Sequence, residues 1–525
     1  MDYGILSIIP PVLIIAMAFI TKQVMLSLIT GIIASGLVIY GGNVLSAVTL
    51  SFSDYVVGAL MDYSHAANVV FLLTMGGMIE IVSRTGGLQA LTNVLKKYIK
   101  STKSAQVTTC LLGILIFFDD YANLLVVGPA ANLICDNHRI SREKQNFIVH
   151  NTAGLVAGIA VLTTWVGFEI GCITDVFADM GYEVNGLTMI IKNVPYMIYN
   201  IMAVVLMLSV AFMLRDFGPM YKAEMRARTT GKVIADDANI ATAEYDEIDL
   251  DKQGKVWYAV VPIVAMVITL FIGLWINGYQ YHTEEAAFFS FQGFRLSLAD
   301  ADPLLVMVWS STISTLFAAL IAKFCAKMSI GDIINHFLKG AHGLLDIVIV
   351  LVLAWSIGSI MGDVGTANYI VGLIGDSIPG GMLPAIIFVI SCLISYATGT
   401  SWGTMPLMFP LALPLVATFV EDPTESPLII ATIAAVLSGA IFGDQTSPIS
   451  DSSIISSATV KCDLLHHIKT QTPYELLPAA FAVVGLLITG ISGIPIWVIL
   501  IAETIVTILF VRFIGKTTDP KYIQI

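Results

Sequence analysis

Four short polar clusters interrupt an otherwise oily chain: Phe118-Asp119-Asp120-Tyr121-Ala122-Asn123, Thr163-Thr164-Trp165, Thr398-Gly399-Thr400-Ser401-Trp402-Gly403-Thr404, and Gly443-Asp444-Gln445-Thr446-Ser447-Pro448-Ile449-Ser450-Asp451. A charged side chain at the centre of a membrane helix costs roughly 2.5–3.5 kcal/mol on the insertion scale, so intramembrane carboxylates mark function. Carboxylate and hydroxyl oxygens, with carbonyls freed where a helix unwinds, suit a hard cation such as Na+. The candidate cation ligands are Asp119, Asp120, Asn123, Thr163, Thr164, Thr400, Ser401, Thr404, Asp444, Thr446, Ser447 and Asp451. Adjacent carboxylates repel, and one that keeps its proton near neutral pH can trade H+ for Na+ at a single site. The plainer alternative is capping: Asp119 or Asp120 starting the helix after its break, and Asp451 starting the helix before Ser452-Ser453. Asp444 is harder to read as a cap, because it ends an apolar run from Ile429.

These clusters need elements that hold them inside a membrane. Of the 525 residues, 57% are hydrophobic and 12% charged, against about 25% charged in soluble domains. The fold class expected is an all-α polytopic membrane protein. The net charge of −12 includes no basic patch for nucleic acid, and the six cysteines have no metal or redox spacing. Lys22 follows the first apolar run instead of preceding it, so that run reads as a retained helix, not a signal peptide.

Eleven crossings are expected, at 4–20, 24–40, 66–83, 149–170, 188–214, 256–277, 304–322, 343–362, 428–446, 474–490 and 494–511. Stretches 105–134 and 383–415 are too long for one span and carry a polar break at the middle, so each is expected to be a re-entrant hairpin. Basic flanks put both ends of 105–134 on the cytoplasmic side, with Arg84, Lys96, Lys97, Lys100 and Lys103 before it and Arg139, Arg142 and Lys144 after it. An arm of about 15 residues, ~22 Å at 1.5 Å per residue, brings its tip near mid-depth. The 383–415 hairpin has acidic flanks and enters from outside. With the N-terminus outside and the C-terminus inside, only Lys192 and Arg295 of 26 basic residues fall on the outer side.

A shift of 281 residues aligns the two halves without a gap over about 95 positions. Asp119-Asp120 falls on Thr400-Ser401, Thr163-Thr164 on Asp444-Gln445, Gly77 on Gly358, Thr85 on Thr366, Pro129 on Pro410, and Gly158 on Gly439. Each half holds five transmembrane helices and one re-entrant hairpin. Five is odd, so the expected architecture is two inverted repeats, with one extra C-terminal helix. The divisions are 1–214 for the first repeat, 215–255 for a cytoplasmic linker, 256–490 for the second repeat, and 491–525 for the last helix and tail. Glu80 and Glu169, near segment ends, read as solvated, Glu503 as structural, Trp165 and Trp402 as packing, and His150 as an interfacial histidine or a pH sensor.

At Phe117 to Asn123, Thr398 to Thr404 and Gly443 to Asp451, the chain resembles the NhaC-type sodium/proton antiporter family. The resemblance runs over most of the chain. It implies an inner (cytoplasmic) membrane secondary transporter without enzymatic activity or resident cofactor, with Na+ and H+ as partners in the lipid bilayer. A homodimer is the analogy offered by elevator-type folds. Members of the family handle different cargo, so two readings stand: exchange of Na+ for H+, or Na+- or H+-coupled movement of a small organic acid or amino acid. The lack of Lys or Arg in the core favours cation exchange. A passive channel would need a continuous polar stripe instead of isolated breaks.

Overall fold

The computed structural model describes residues 3–21, 23–96, 99–161, 163–240, 254–281, 287–365, 369 and 379–522. Among these, nine helices are long and apolar enough to cross a membrane, or eleven if each of two bent pairs is one span. Such segments close every backbone hydrogen bond internally, the condition for crossing hydrocarbon. Apolar side chains cover both the interior and much of the exterior, as Ile501, Ile505 and Leu509 show on the last helix.

Nine of the eleven expected crossings appear, two of them as bent pairs; those at 4–20 and 24–40 are shorter apolar helices, and Gly380–Thr398, expected as one arm of a re-entrant hairpin, is itself of span length. The 149–170 segment is two helices, Arg142–Ile159 and Thr164–Asp179, bent by 45° at the break. The 188–214 segment bends by 53° between Tyr196 and Ile198. The eleven expected crossings omit Val44–Met61, a helix of span length; Ser46, Thr49, Ser51, Ser53 and Asp54 dilute its apolar character. Glu169 is not near a solvated end. Its helix runs on to Asp179, and the side chain is fully buried without a hydrogen-bond partner among the described residues. Glu80 pairs with Arg84 at 2.9 Å.

Both polar-centred stretches form two packed helices. One comprises Thr102–Leu115 and Asp120–Cys135, the other Leu383–Thr398 and Ser401–Ala417. Ser101 starts the first arm with a capping box made with Ser104. In the second stretch, Gly399 adopts φ 72° and turns the chain between arms. Gly439 and Gly443 let helix Pro427–Thr446 lie directly on Leu383–Thr398. A Cβ at these positions would come within 2.6 Å of Phe388 O and 2.4 Å of Tyr396 N, the close approach that small residues allow between membrane helices.

The linker side is tied down by ions. Lys144 Nζ and Asp216 Oδ1 pair at 2.7 Å in full burial. Tyr474 and Thr518 also donate to Asp216, at 2.9 and 3.1 Å. Arg215–Asp216 pairs antiparallel with Lys516–Thr517, joining the linker to the tail. Nearby, Glu224 accepts from Ser141 and Arg228. Burial pushes its carboxyl above the ordinary range, against the pull of Arg228. Asp216→Ala leaves Lys144 buried and unpaired, which should cost about 3–5 kcal/mol and lower the thermal midpoint in detergent. Lys144→Met with Asp216→Leu should lose less than the single change; an equal or larger loss would refute this account of the pair.

Candidate functional site

The site is built where a hairpin tip meets a broken helix, and this happens twice. Asp119 sits at the start of helix Asp120–Cys135, its carbonyl accepting from Asn123 N at 3.1 Å. Its carboxylate accepts from Thr164 Oγ1 at 3.2 Å, and Thr164 N donates to Phe118 O at 3.1 Å. In the other half the chemistry is exchanged. The tip residue Ser401 donates its hydroxyl to Asp444 Oδ2 at 3.0 Å, and Asp444 belongs to the broken helix. The arms of the two tips begin at 102 and 383 and at 120 and 401, each pair 281 apart (383 − 102 and 401 − 120).

Asp444 is the more densely held carboxylate. Ser452 Oγ donates to Oδ1 at 3.1 Å, and Ser450 Oγ donates to the same oxygen. The three serines come from three segments: the tip helix, the break and helix Asp451–Val460. Ser447 closes helix Pro427–Thr446 and Ser450 opens Asp451–Val460, accepting from Ser453 N. The cap of that helix is therefore Ser450, not Asp451, whose side chain lies outside the described residues.

The remaining candidates divide. Thr163 caps helix Thr164–Asp179 through Trp165 N and Val166 N and donates to Ala157 O, so it secures the break. Thr400 caps Ser401–Ala417 through Gly403 N, and its carbonyl accepts from Thr404. Thr446 and Ser447 hydroxyls donate to the carbonyls of Phe442 and Tyr396. Asn123 Nδ2 clamps the carbonyls of Gly113, Ile116 and Thr152, while its Oδ1 is buried without a partner among the described residues. Asp120 is buried beside Asp119 at the first position of its helix. Among the described residues no three His, Cys, Asp or Glu side chains stand together as a metal cluster. A cation here would take hydroxyl, amide and carbonyl oxygens around single carboxylates.

Trp165 and Trp402 join the two polar pairs. Each follows a site residue, Thr164 or Ser401, and their rings lie 5.1 Å apart; Phe168 meets Trp402 at 4.6 Å. A cavity of about 390 Å³ is lined by Asp179, Tyr182, Gly358, Pro410 and Thr418 among others. A smaller space beside it is lined by Asp175, Trp355 and Pro406. Pro406, Pro410 and Pro414 repeat every four residues on one helix and front these spaces with a face lacking N–H donors. Asp175 pairs with His65, whose ring stacks on Trp355.

Ser450 and Ser452, which donate to Asp444, are not among the expected ligands; His150 lies one hydrogen bond further out, on Ser452. The first two lie within or next to the Gly443–Asp451 motif. His150, far from interfacial, is fully buried with its Nε2 2.9 Å from Ser452 Oγ.

Apolar helices of span length, in packed pairs with buried polar contacts between them, define a multi-pass membrane protein. Two solved transporters share the fold at low sequence identity. The YdaH transporter of Alcanivorax borkumensis gives a TM-score of 0.55 at 15% identity, covering 85% of this chain and 89% of that one. MtrF of Neisseria gonorrhoeae, described among antimetabolite efflux pumps, gives 0.52 at 12% identity over 86% and 85%. Residues 156–491 match the model of the Na+/H+ antiporter family, and the chain belongs to that family. It is a secondary transporter by that membership. An uncharacterized protein of Haemophilus influenzae is 27% identical over 97% of this chain and 95% of its own. The malate-2H+/Na+-lactate antiporter of Bacillus subtilis is 28% identical over 33% of this chain and 37% of its own.

Gly399 tests the tip geometry. A side chain there must adopt a left-handed backbone and would approach Ile449 O at 2.8 Å. Gly399→Val should destabilise the detergent-solubilised protein by at least about 1–2 kcal/mol and abolish transport. Unchanged stability and flux would show that the turn is not held as described.

Proposed function

We propose that this protein exchanges Na+ for H+ across the inner membrane through carboxylate and hydroxyl groups near mid-depth. The observation carrying the proposal is the cage around Asp444, a buried carboxylate met by hydroxyls from three segments at a helix break. A carboxylate so placed is neutral with a proton or compensated by a cation, and either occupant satisfies it. The hydroxyls that donate to the bare carboxylate can turn their lone pairs to a cation. Asp119 with Thr164 forms the corresponding pair in the other half.

The proposed architecture is two inverted repeats, 1–214 and 256–490, joined by the 215–255 linker on the cytoplasmic side and followed by the 491–525 helix and tail. The common 281-residue spacing of the helix starts supports it. So does the recurrence of a tip-to-break hydrogen bond in each half. Counting Val44–Met61 as a crossing while keeping the basic stretch from Arg84 to Lys144 cytoplasmic puts the N-terminus inside, and the cavity at Asp179 and Thr418, with one carboxylate in its lining, opens outward. Na+ on Asp444 or Asp119, with Asp120, Ser401 and the break oxygens near it, would be displaced when a proton arrives. No resident cofactor is proposed; a homodimer belongs to the proposal by analogy with elevator folds.

The malate/lactate relative favours a second reading, in which a small organic acid or amino acid moves with Na+ or H+. The arginine/ornithine antiporter ArcD of Halobacterium salinarum, 24% identical over 46% of this chain and 44% of its own, points to the same breadth. Asp179 and Asp175 are the carboxylates at the two spaces, and among the described residues no Lys or Arg lines either, which favours cations over organic acids.

Flux in sealed proteoliposomes separates the two. Added Na+, but not choline, should dequench an internal pH dye, and Asp119→Asn or Asp444→Asn should abolish the response with normal insertion. Wild-type flux in both variants removes the site; a response only when an organic or amino acid is added gives the second reading. Protons compete at the proposed site, so apparent Na+ affinity should weaken as pH falls. An affinity constant between about pH 6 and 9 argues for separate sites.

A further inference from the structure

The hydrogen bonds around Asp444 do not stop at its serines. Ser452 Oγ, which touches Asp444 Oδ1, lies 2.9 Å from His150 Nε2, and His150 Nδ1 lies 3.0 Å from His467 Nε2. Both imidazoles are fully buried. Asp444, Ser452, His150 and His467 thus form an unbroken line of groups that can each give and take a proton.

The rings are held from the side. Gln471 Nε2 lies 3.3 Å from His150 Nδ1 and donates to Gln445 O and Oε1 at 3.1 and 2.9 Å. Gln445 Nε2 donates to His150 O at 3.2 Å. The line ends at His467 Nδ1, which is buried without a hydrogen-bond partner among the described residues. His466, the preceding residue, and Thr470, one turn on, line a cavity of about 490 Å³ on the linker side, with Lys222 and Asp236. Glu475, on the same helix as His467, stands off the line, held by Tyr199 and Asn151. Tyr474 is engaged with Asp216.

We propose that His150 and His467 carry protons between Asp444 and the linker-side solution. This rests on the exchange reading above and adds to it the route and the side. The transfer balances without a co-reactant. In the loaded pattern, Asp444 donates to Ser452, Ser452 to His150 Nε2, and His150 Nδ1–H to His467 Nε2, while His467 Nδ1 carries a hydrogen. Each proton as far as His467 then moves along its own hydrogen bond, and the Nδ1 proton of His467 leaves when linker-side water reaches that atom. Asp444 is left ionised with the Ser452 hydroxyl pointing at it. Both imidazoles are neutral with hydrogen on Nε2, and the Nδ1 proton of His467 has passed to water. One proton is released for the one Asp444 loses. An amide in place of either ring holds position but cannot accept at one atom and release at another.

The test uses the full chain in liposomes, as wild type, His150→Gln and His467→Gln. Counterflow of radioactive Na+ against internal Na+ at equal pH needs no net proton movement; Na+-driven change of internal pH does. Both variants should keep counterflow within about twofold and lose about tenfold or more of the Na+-driven proton flux. The wild-type proton flux should slow in D2O while counterflow does not. Variants with wild-type proton flux, or variants that lose both fluxes together, overturn the relay. A wild type that moves Na+ without moving protons overturns the exchange reading, and the relay with it, and is told apart by its own counterflow.

Discussion

A carboxylate at the broken end of an apolar helix must be met by donors, a proton or a cation, and the rest of this structure arranges how Asp444 is met. Three serine hydroxyls reach it from three segments. Their convergence requires the hairpin tip, the break and the following short helix to be held together. Gly399 makes the tip, Gly439 and Gly443 let its helix lie on the broken one, and Ser450 starts the next helix at the right place. Packing on this side thus serves one polar contact that hydrocarbon would otherwise make costly.

The other half solves the same problem with the partners exchanged. Asp119 lies on the tip and its hydroxyl partner, Thr164, on the broken helix. The tryptophans next to these pairs, Trp165 on the broken helix of one and Trp402 on the tip helix of the other, are in contact and join the two pairs. In the proposed exchange this contact is useful, because an occupant arriving at one carboxylate changes which hydroxyls are free to turn. The buried ionic cluster at Lys144, Asp216 and Glu224 holds the linker side together.

Much of this was legible in the sequence. Polar residues are conspicuous in apolar runs, so the four clusters and the two packed helix pairs follow from hydropathy, and the pair bounds agree closely with 105–134 and 383–415. Val44–Met61 was not legible, because serines, a threonine and an aspartate hide a helix whose hydroxyls turn back on its own carbonyls, as Thr49 and Ser53 do. The choice of hydroxyls was only half legible. Thr446 and Ser452 are both near Asp444 in sequence, yet Thr446 bonds its own helix while Ser452 faces the carboxylate, a distinction made by the turn between the helices. The contact of His150 with Ser452 spans 302 residues and arises from packing of the two halves. The burial of Glu169 is not legible, because hydropathy ends its segment at 170 while the helix runs on to Asp179.

The central claim, that a cation and a proton compete for the same caged carboxylate, is tested most directly on solubilised protein in weakly buffered detergent. Na+ is added while pH and bound Na+ are followed on one sample. Competition predicts release of about one proton per bound Na+, saturating with Na+ binding, and no release from Asp444→Asn. Saturable Na+ binding by the wild type with no proton released would contradict it.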